Sequence, residues 1–247
     1  MRYRLLDTLR GYSLASMILF HTCWDLVYLY GYDWTWYKGT PGYLWQQSIC
    51  WAFILISGFC MGLPKDDRPL AGSCRRGLLV LAAGCLVTAA TVLFTPDSPI
   101  IFGVLFFLGS AMLLTAALRP LLRNCSCRGG LLVSAALFFL LRNINDGSLG
   151  FENLILCPLP DVWYGHGLLA TFVGLRDKNF FSADYFSLLP WYFLFLAGFF
   201  LCRCFLENRE TEFFGKGIPV FETMGRHSLL IYLLHQPVIL LLLSVIF

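Results

Sequence analysis

The chain has 247 residues, 58% of them apolar and 13% charged, with 18 Lys and Arg against 15 Asp and Glu and a formal net charge of +3. A soluble domain is about half apolar and about one quarter charged, and a chain of this size has no way to hide 23 phenylalanines and a mean hydropathy of +0.69 from water. A water-soluble globule is excluded, nucleic acid is excluded as a partner by the lack of a basic block, and the lipid bilayer becomes the main solvent.

A membrane-spanning helix needs about 20 mostly apolar residues. In chain order, seven runs qualify: Leu5–Tyr30, Tyr43–Leu63, Gly77–Phe94, Ile100–Leu118, Gly129–Leu141, Leu188–Phe205 and Ser228–Phe247. The fifth is short and needs local thinning of the bilayer or protein cover. With seven spans, only Lys38, Arg142, Arg176 and Lys178 fall on the side away from the N-terminus, and the other Lys and Arg fall on the N-terminal side. Basic residues collect in the cytoplasm, so the expectation is an all-α polytopic transmembrane helix bundle of about seven spans. It forms a single domain over residues 1–247, with a cytoplasmic N-terminus. The first run holds Asp7, Arg10, His21 and Asp25 and has no small-residue cleavage site, which reads as a retained helix and not a signal peptide. The long non-spanning stretch Arg142 to Ser187 contains Val162 to Leu175, an expected interfacial or re-entrant helix.

Six of the ten cysteines (Cys23, Cys50, Cys60, Cys85, Cys202 and Cys204) sit in apolar runs, where they act as small soft hydrophobes. The Cys125/Cys127 and Cys202/Cys204 pairs lack the second half of a zinc motif, and no metal is expected.

At 100° per residue the first helix places Arg10 about 20° from His21, with Asp7 and Asp25 about 40° to the other side. Ionisable groups facing lipid cost several kcal/mol, so this stripe should face protein. Arg10 is placed to hold an anion at the cytoplasmic mouth. Roughly 16 Å further along the axis, His21 is placed to move a proton, oriented by Asp25 one turn on. The alternative is that His21 with Asp25, and Asp7 with Arg10, satisfy each other as local helix pairs. In the last run Ser228, Tyr232 and His235 share one face with Gln236 beside them, and Pro237 frees the Leu233 carbonyl, so a bend is expected near His235. This stripe suits a site wall or polar contacts between helices. Arg226 reads either as a solvated helix-end group or as a phosphate contact. Ser57, Gly58, Phe102, Gly103 and Gly109 suit close helix packing. Trp191 reads as an aromatic interface anchor, and Asp184 is a candidate for binding a polar acceptor.

The ordered set Leu6-Asp7-x-x-Arg10-Gly11, Phe20-His21, His21-x-x-x-Asp25-Leu26, Phe53-x-x-x-Ser57-Gly58, Ser182-Ala183-Asp184-Tyr185 with Leu189-Pro190-Trp191, and Gly225-Arg226-His227-Ser228 through His235-Gln236-Pro237 spans nearly the whole chain. The Arg10-x10-His21 spacing resembles integral-membrane acyltransferases that acylate sugars. The full set resembles the heparan-α-glucosaminide N-acetyltransferase catalytic-domain family, in particular its small bacterial members. The resemblance implies an enzyme of a bacterial cytoplasmic membrane that moves an acetyl group from cytoplasmic acetyl-CoA to a polar acceptor, a sugar or glycan among the candidates. A second copy of the chain is a candidate partner. His21, Asp25 and His235 would be catalytic, Arg10 and Arg226 would bind the CoA anion, and Asp184, Tyr232 and Gln236 would bind the acceptor. Heparan itself is not carried over as acceptor. The same Arg/His/Asp stripe also suits a proton-coupled transporter. An intramembrane zinc hydrolase using His21, Asp25 and His235 is a third reading.

Overall fold

The computed structural model describes residues 3–63, 70–207 and 215–247. Arg2, Lys65, Arg68 and Arg209, which contribute to the basic bias on the N-terminal side, lie outside the described residues. The chain forms two compact units, Met1–Ile56 with Asn208–Phe247, and Ser57–Glu207.

The first unit is built from α1 (Arg4–Tyr28), the short α2 (Thr35–Lys38), most of α3 (Thr40–Gly62), α9 (Pro219–Arg226) and α10 (Ser228–Ile246). Asp7 sits in the first turn of α1, where the helix dipole favours negative charge. The polar stripe of α1 turns inward as expected. Asp25 is fully buried, while Leu9, Tyr12 and Leu19 on other faces stay exposed. The apolar core gathers Leu14, Met17, Phe20 and Val27 of α1 with Tyr37 and Ile49, and Met224, Ile231 and Tyr232 pack against it. Two side chains tie the core to α1: Tyr37 donates to the Phe20 carbonyl at 3.0 Å and Trp45 Nε1 donates to Ser16 Oγ at 2.8 Å. α9 opens with Pro219, whose fixed φ and missing N–H suit a first turn. It lies so close to α1 that a Cβ on Gly11 would come 1.9 Å from the Phe221 carbonyl oxygen, and one on Gly225 would come 1.8 Å from that of Asp7.

The second unit holds the end of α3, α4 (Leu70–Phe94), α5 (Val104–Asn124), α6 (Cys127–Leu140), a hairpin of β1 (Ser148–Phe151) and β2 (Leu154–Pro158), α7 (Gly167–Val173) and α8 (Leu188–Glu207). Helix α8 is its centre, with 61% of its most apolar stretch buried, and it packs on α6 and α5. Gly58 permits the approach of α3, since a Cβ there would meet the Phe195 carbonyl oxygen at 1.9 Å. Five helices among the described residues (those at Thr40–Gly62, Gly72–Phe94, Val104–Asn124, Leu188–Glu207 and Ser228–Ile246) are long and apolar enough to cross a membrane. α1 has the length but carries the ionisable stripe. The 14 residues of α6 reach about 21 Å. The chain is therefore an all-α polytopic membrane protein with one small hairpin added.

Three expectations are corrected. α5 begins at Val104 and not at Ile100, because Phe102 adopts a left-handed conformation with φ 57° and Gly103 is extended. Trp191 is not an interface anchor; it is buried at 4% exposure against Phe138 and Phe186, with the Arg142 guanidinium 4.8 Å from its ring centroid. The Val162 to Leu175 helix shrinks to α7, preceded by a 3-10 turn at Asp161–Trp163, and the two-stranded hairpin before it was not expected. Its turn places Glu152 at φ 51°, a residue type that carries no hairpin signal in a sequence.

The tight helix crossings give a direct test. Gly225→Ala and Gly58→Ala force a methyl group into a neighbouring backbone carbonyl, and overpacking of this kind costs about 1–3 kcal/mol or more. Thermal unfolding followed by circular dichroism should show both variants melting well below wild type. Gly215→Ala, which meets open space, should melt like wild type.

Candidate functional site

The first unit brings together the polar residues of α1 and α10, which are more than 200 positions apart in the chain. Gln236 Nε2 donates to both carboxylate oxygens of Asp25, at 2.9 and 3.0 Å. This pins the middle of α10 to the last turn of α1. His21 and His235 then face one another with ring centroids 4.9 Å apart and planes at 76°, and the Tyr232 ring lies 5.3 Å from that of His235.

The expected orientation of His21 by Asp25 is not what holds the ring. His21 Nδ1 lies 2.9 Å from the Met17 carbonyl oxygen, one turn back, and Asp25 is engaged by Gln236. Helical side chains lean toward the N-terminus, so His21 reaches the carbonyl four residues before it and not the carboxylate four residues after. His235 makes the same kind of contact, with Nδ1 at 2.5 Å from the Tyr232 carbonyl oxygen. A carbonyl only accepts, so in both rings Nδ1 carries the proton and Nε2 keeps its lone pair. The Nε2 of His235 and the Oε1 of Gln236 are buried with no hydrogen-bond partner among the described residues. They are two acceptors on consecutive residues of α10, available to an incoming O–H or N–H group. α10 remains a continuous helix through Pro237.

At the other end of α1, Arg10 and Arg226 each lie beside a carboxylate. Arg10 Nη1 bonds Asp7 at 3.1 Å and lies 3.4 Å from the Gly225 carbonyl oxygen, with 17% of its side chain exposed. Glu222, which no sequence motif singles out, is buried between Arg226 on its own helix and Arg4 on α1, the latter at 2.9 Å. Its only signal in the sequence is the i,i+4 pair Glu222 and Arg226 in an otherwise mostly apolar eight-residue segment. Hydrogen bonds from Arg226 and then Arg4 hold its carboxyl below the ordinary glutamate value.

Asp184 belongs to the second unit. Its Oδ2 accepts from the Val104 amide at 3.2 Å at the start of α5, and Ser182 Oγ accepts from the Ile101 amide at 2.9 Å. The backbone completes this stitch through Ala183 to Pro99 and Phe186 to Phe102. The Ser182-Ala183-Asp184-Tyr185 motif thus fixes the turn that launches α5. No group of three or more His, Cys, Asp and Glu side chains among the described residues is placed to hold a metal ion, and all ten cysteines are free thiols.

A family profile described as heparan-alpha-glucosaminide N-acetyltransferase, catalytic, matches residues 2–237. The chain belongs to this family. The match runs through both compact units and includes His21, Asp25 and His235, so a membrane acetyltransferase is the class of activity the geometry has to serve. The comparisons with curated proteins and with solved structures found no match.

The Glu222 clamp predicts a pH dependence. A carboxyl whose folded pKa lies below its unfolded value stabilises the fold at neutral pH, and that contribution is lost as pH falls below about 4.5 and through the folded value. Wild type should lose melting temperature on acidification across this window more steeply than Glu222→Gln, which has no carboxyl to titrate. Identical acid profiles would contradict the clamp.

Proposed function

We propose that the protein transfers an acetyl group from cytoplasmic acetyl-CoA to a polar hydroxyl or amine acceptor, a sugar being the class the family description favours. The single observation that carries this reading is the facing pair of imidazoles, His21 and His235, each fixed through Nδ1 on a backbone carbonyl and each presenting Nε2 as a base. Such an arrangement is what general-base catalysis of acyl transfer requires, because an imidazole whose Nδ1–H is held by a carbonyl turns its Nε2 lone pair toward the proton of an attacking group.

In the proposed reaction the acceptor O–H or N–H donates to an imidazole Nε2 as its heteroatom attacks the thioester carbonyl carbon. The C–S bond breaks, the new C–O or C–N bond forms, and the proton passes from the imidazole to the departing CoA sulfur. Atoms and charge balance without any further reactant. His235 Nε2 and Gln236 Oε1, both buried and both acceptors, suit the acceptor's polar hydrogens, with Tyr232 beside them. Asp25 acts through Gln236, which it orients. Arg10 and Arg226 serve the CoA phosphates at the far end of α1. The run of roughly 16 Å from Arg10 to His21 matches a long, extended donor lying along the helix.

Purified protein supplied with labelled acetyl-CoA and a panel of sugar and amino-sugar acceptors should release CoA in step with product. His21→Ala and His235→Ala should each lower turnover by about 10²–10⁴-fold while keeping the wild-type helical spectrum. Full activity in either variant would remove that histidine from the mechanism.

A further inference from the structure

The second unit contains a cavity of about 230 Å³ lined by Gly62, Arg119, Arg123, Phe199, Arg203 and Glu207 together with Leu206. It lies where α3, α5 and α8 all end, and α5 and α8 bring the arginines of their C-terminal turns to one place. We infer that this cavity is a binding site for a phosphate group, formed by the guanidinium groups of Arg119, Arg123 and Arg203.

The local charge favours an anion. Arg119 and Arg123 are spaced i,i+4 on α5, a pairing of like charges that destabilises a helix unless an anion sits between them. Neither is within ion-pair distance of a carboxylate among the described residues. Arg203 adds a third cation whose Nη1 is fixed by the Leu122 and Cys125 carbonyls, at 2.7 and 2.9 Å, with its guanidinium carbon 5.9 Å from the Phe200 ring centroid. That anchoring satisfies the end of α5 and presents the rest of the fork in a fixed orientation, which is how arginine recognises phosphate. The one acid in the lining, Glu207, accepts from Cys127 Sγ at 2.8 Å, so its carboxylate is already engaged and three guanidiniums face one carboxylate.

The size of the cavity narrows the ligand. It is several times the roughly 30 Å³ share of a water molecule but smaller than the roughly 300 Å³ at which pockets for whole small molecules begin. That is room for a phosphate group. Its position agrees: α5 and α8 are both apolar enough to span the bilayer, so a cavity at their ends lies at lipid-headgroup depth, where basic pockets between helices bind anionic lipids. The same chemistry would also take the phosphate of a soluble ester. The site belongs to the second unit and the histidine pair to the first, and phosphate binding there does not depend on the acetyl-transfer reading.

The test uses the full chain in nanodiscs of phosphatidylcholine alone and of phosphatidylcholine with phosphatidylglycerol, comparing wild type with Arg119→Gln/Arg123→Gln and Arg119→Lys/Arg123→Lys. If the ligand is a lipid headgroup, wild type should retain phosphatidylglycerol several-fold over the Gln variant in native mass spectrometry, and inorganic pyrophosphate should leave its melting temperature unchanged. If the ligand is soluble, pyrophosphate should raise the melting temperature in the neutral nanodiscs, with apparent affinity at least tenfold weaker in the Gln variant. In either case the Lys variant, which keeps charge but loses the bidentate fork, should fall between. Equal lipid retention together with no pyrophosphate response in wild type would overturn the site, as would a response identical in all three proteins. Should the Gln variant fail to fold, the comparison of wild type with the Lys variant tests the site in the same way.

Discussion

A fully buried carboxyl group in the last turn of a helix is the constraint on which the first unit depends. Asp25 has no exposure to solvent, and a buried carboxyl without partners is among the costliest groups a fold can carry. Gln236 removes that cost by donating to both of its oxygens. Because the partner lies on α10, satisfying Asp25 also fixes the rotation and depth of α10 against α1. Leaving either member of such a pair unmatched costs about 1–3 kcal/mol. The facing arrangement of His21 and His235, one turn toward the N-terminus of α1 and one residue before Gln236, follows from that registration.

The cytoplasm-facing end proposed for α1 is held by a different kind of contact. Gly11 and Gly225 let two backbones touch, and the ion pairs of Glu222 with Arg4 and Arg226 lock the short helix α9 across α1. One end of the helix is thus closed by charge and backbone contact, and its last turn by a neutral amide bonded to a carboxyl.

Much of this was legible in the sequence because lipid imposes simple rules. Each of the seven apolar runs became a helix, and the inward stripe of α1 could be read from 100° periodicity alone. The residue types on α10 were recognised, yet the partnership of Gln236 with Asp25 was not, since nothing in either local pattern says which of Ser228, Tyr232, His235 or Gln236 meets it. The orientation of His21 was misassigned for a local reason: spacing of i,i+4 treats both directions alike, whereas the helical rotamer reaches only backward. Trp191 looked like an interface anchor because composition cannot tell a buried tryptophan from a boundary one. Asp184 had the residue type of a ligand group, and its use as a cap for α5 depends on a contact 80 positions away. Arg119, Arg123 and Arg203 counted toward topology as basic residues, and only the packing of α5 with α8 placed them around one cavity.

The central claim is that the histidine pair makes and breaks bonds and does not merely pass a solute through the membrane. Proteoliposomes supplied on the outside with acetyl-CoA labelled differently in its acetyl group and in its nucleotide, and with a polar acceptor inside, decide between the two. Acyl transfer predicts that the two labels part, the acetyl label appearing covalently on the acceptor and the nucleotide label remaining outside as free CoA. Both labels accumulating inside together, on intact acetyl-CoA, would contradict it.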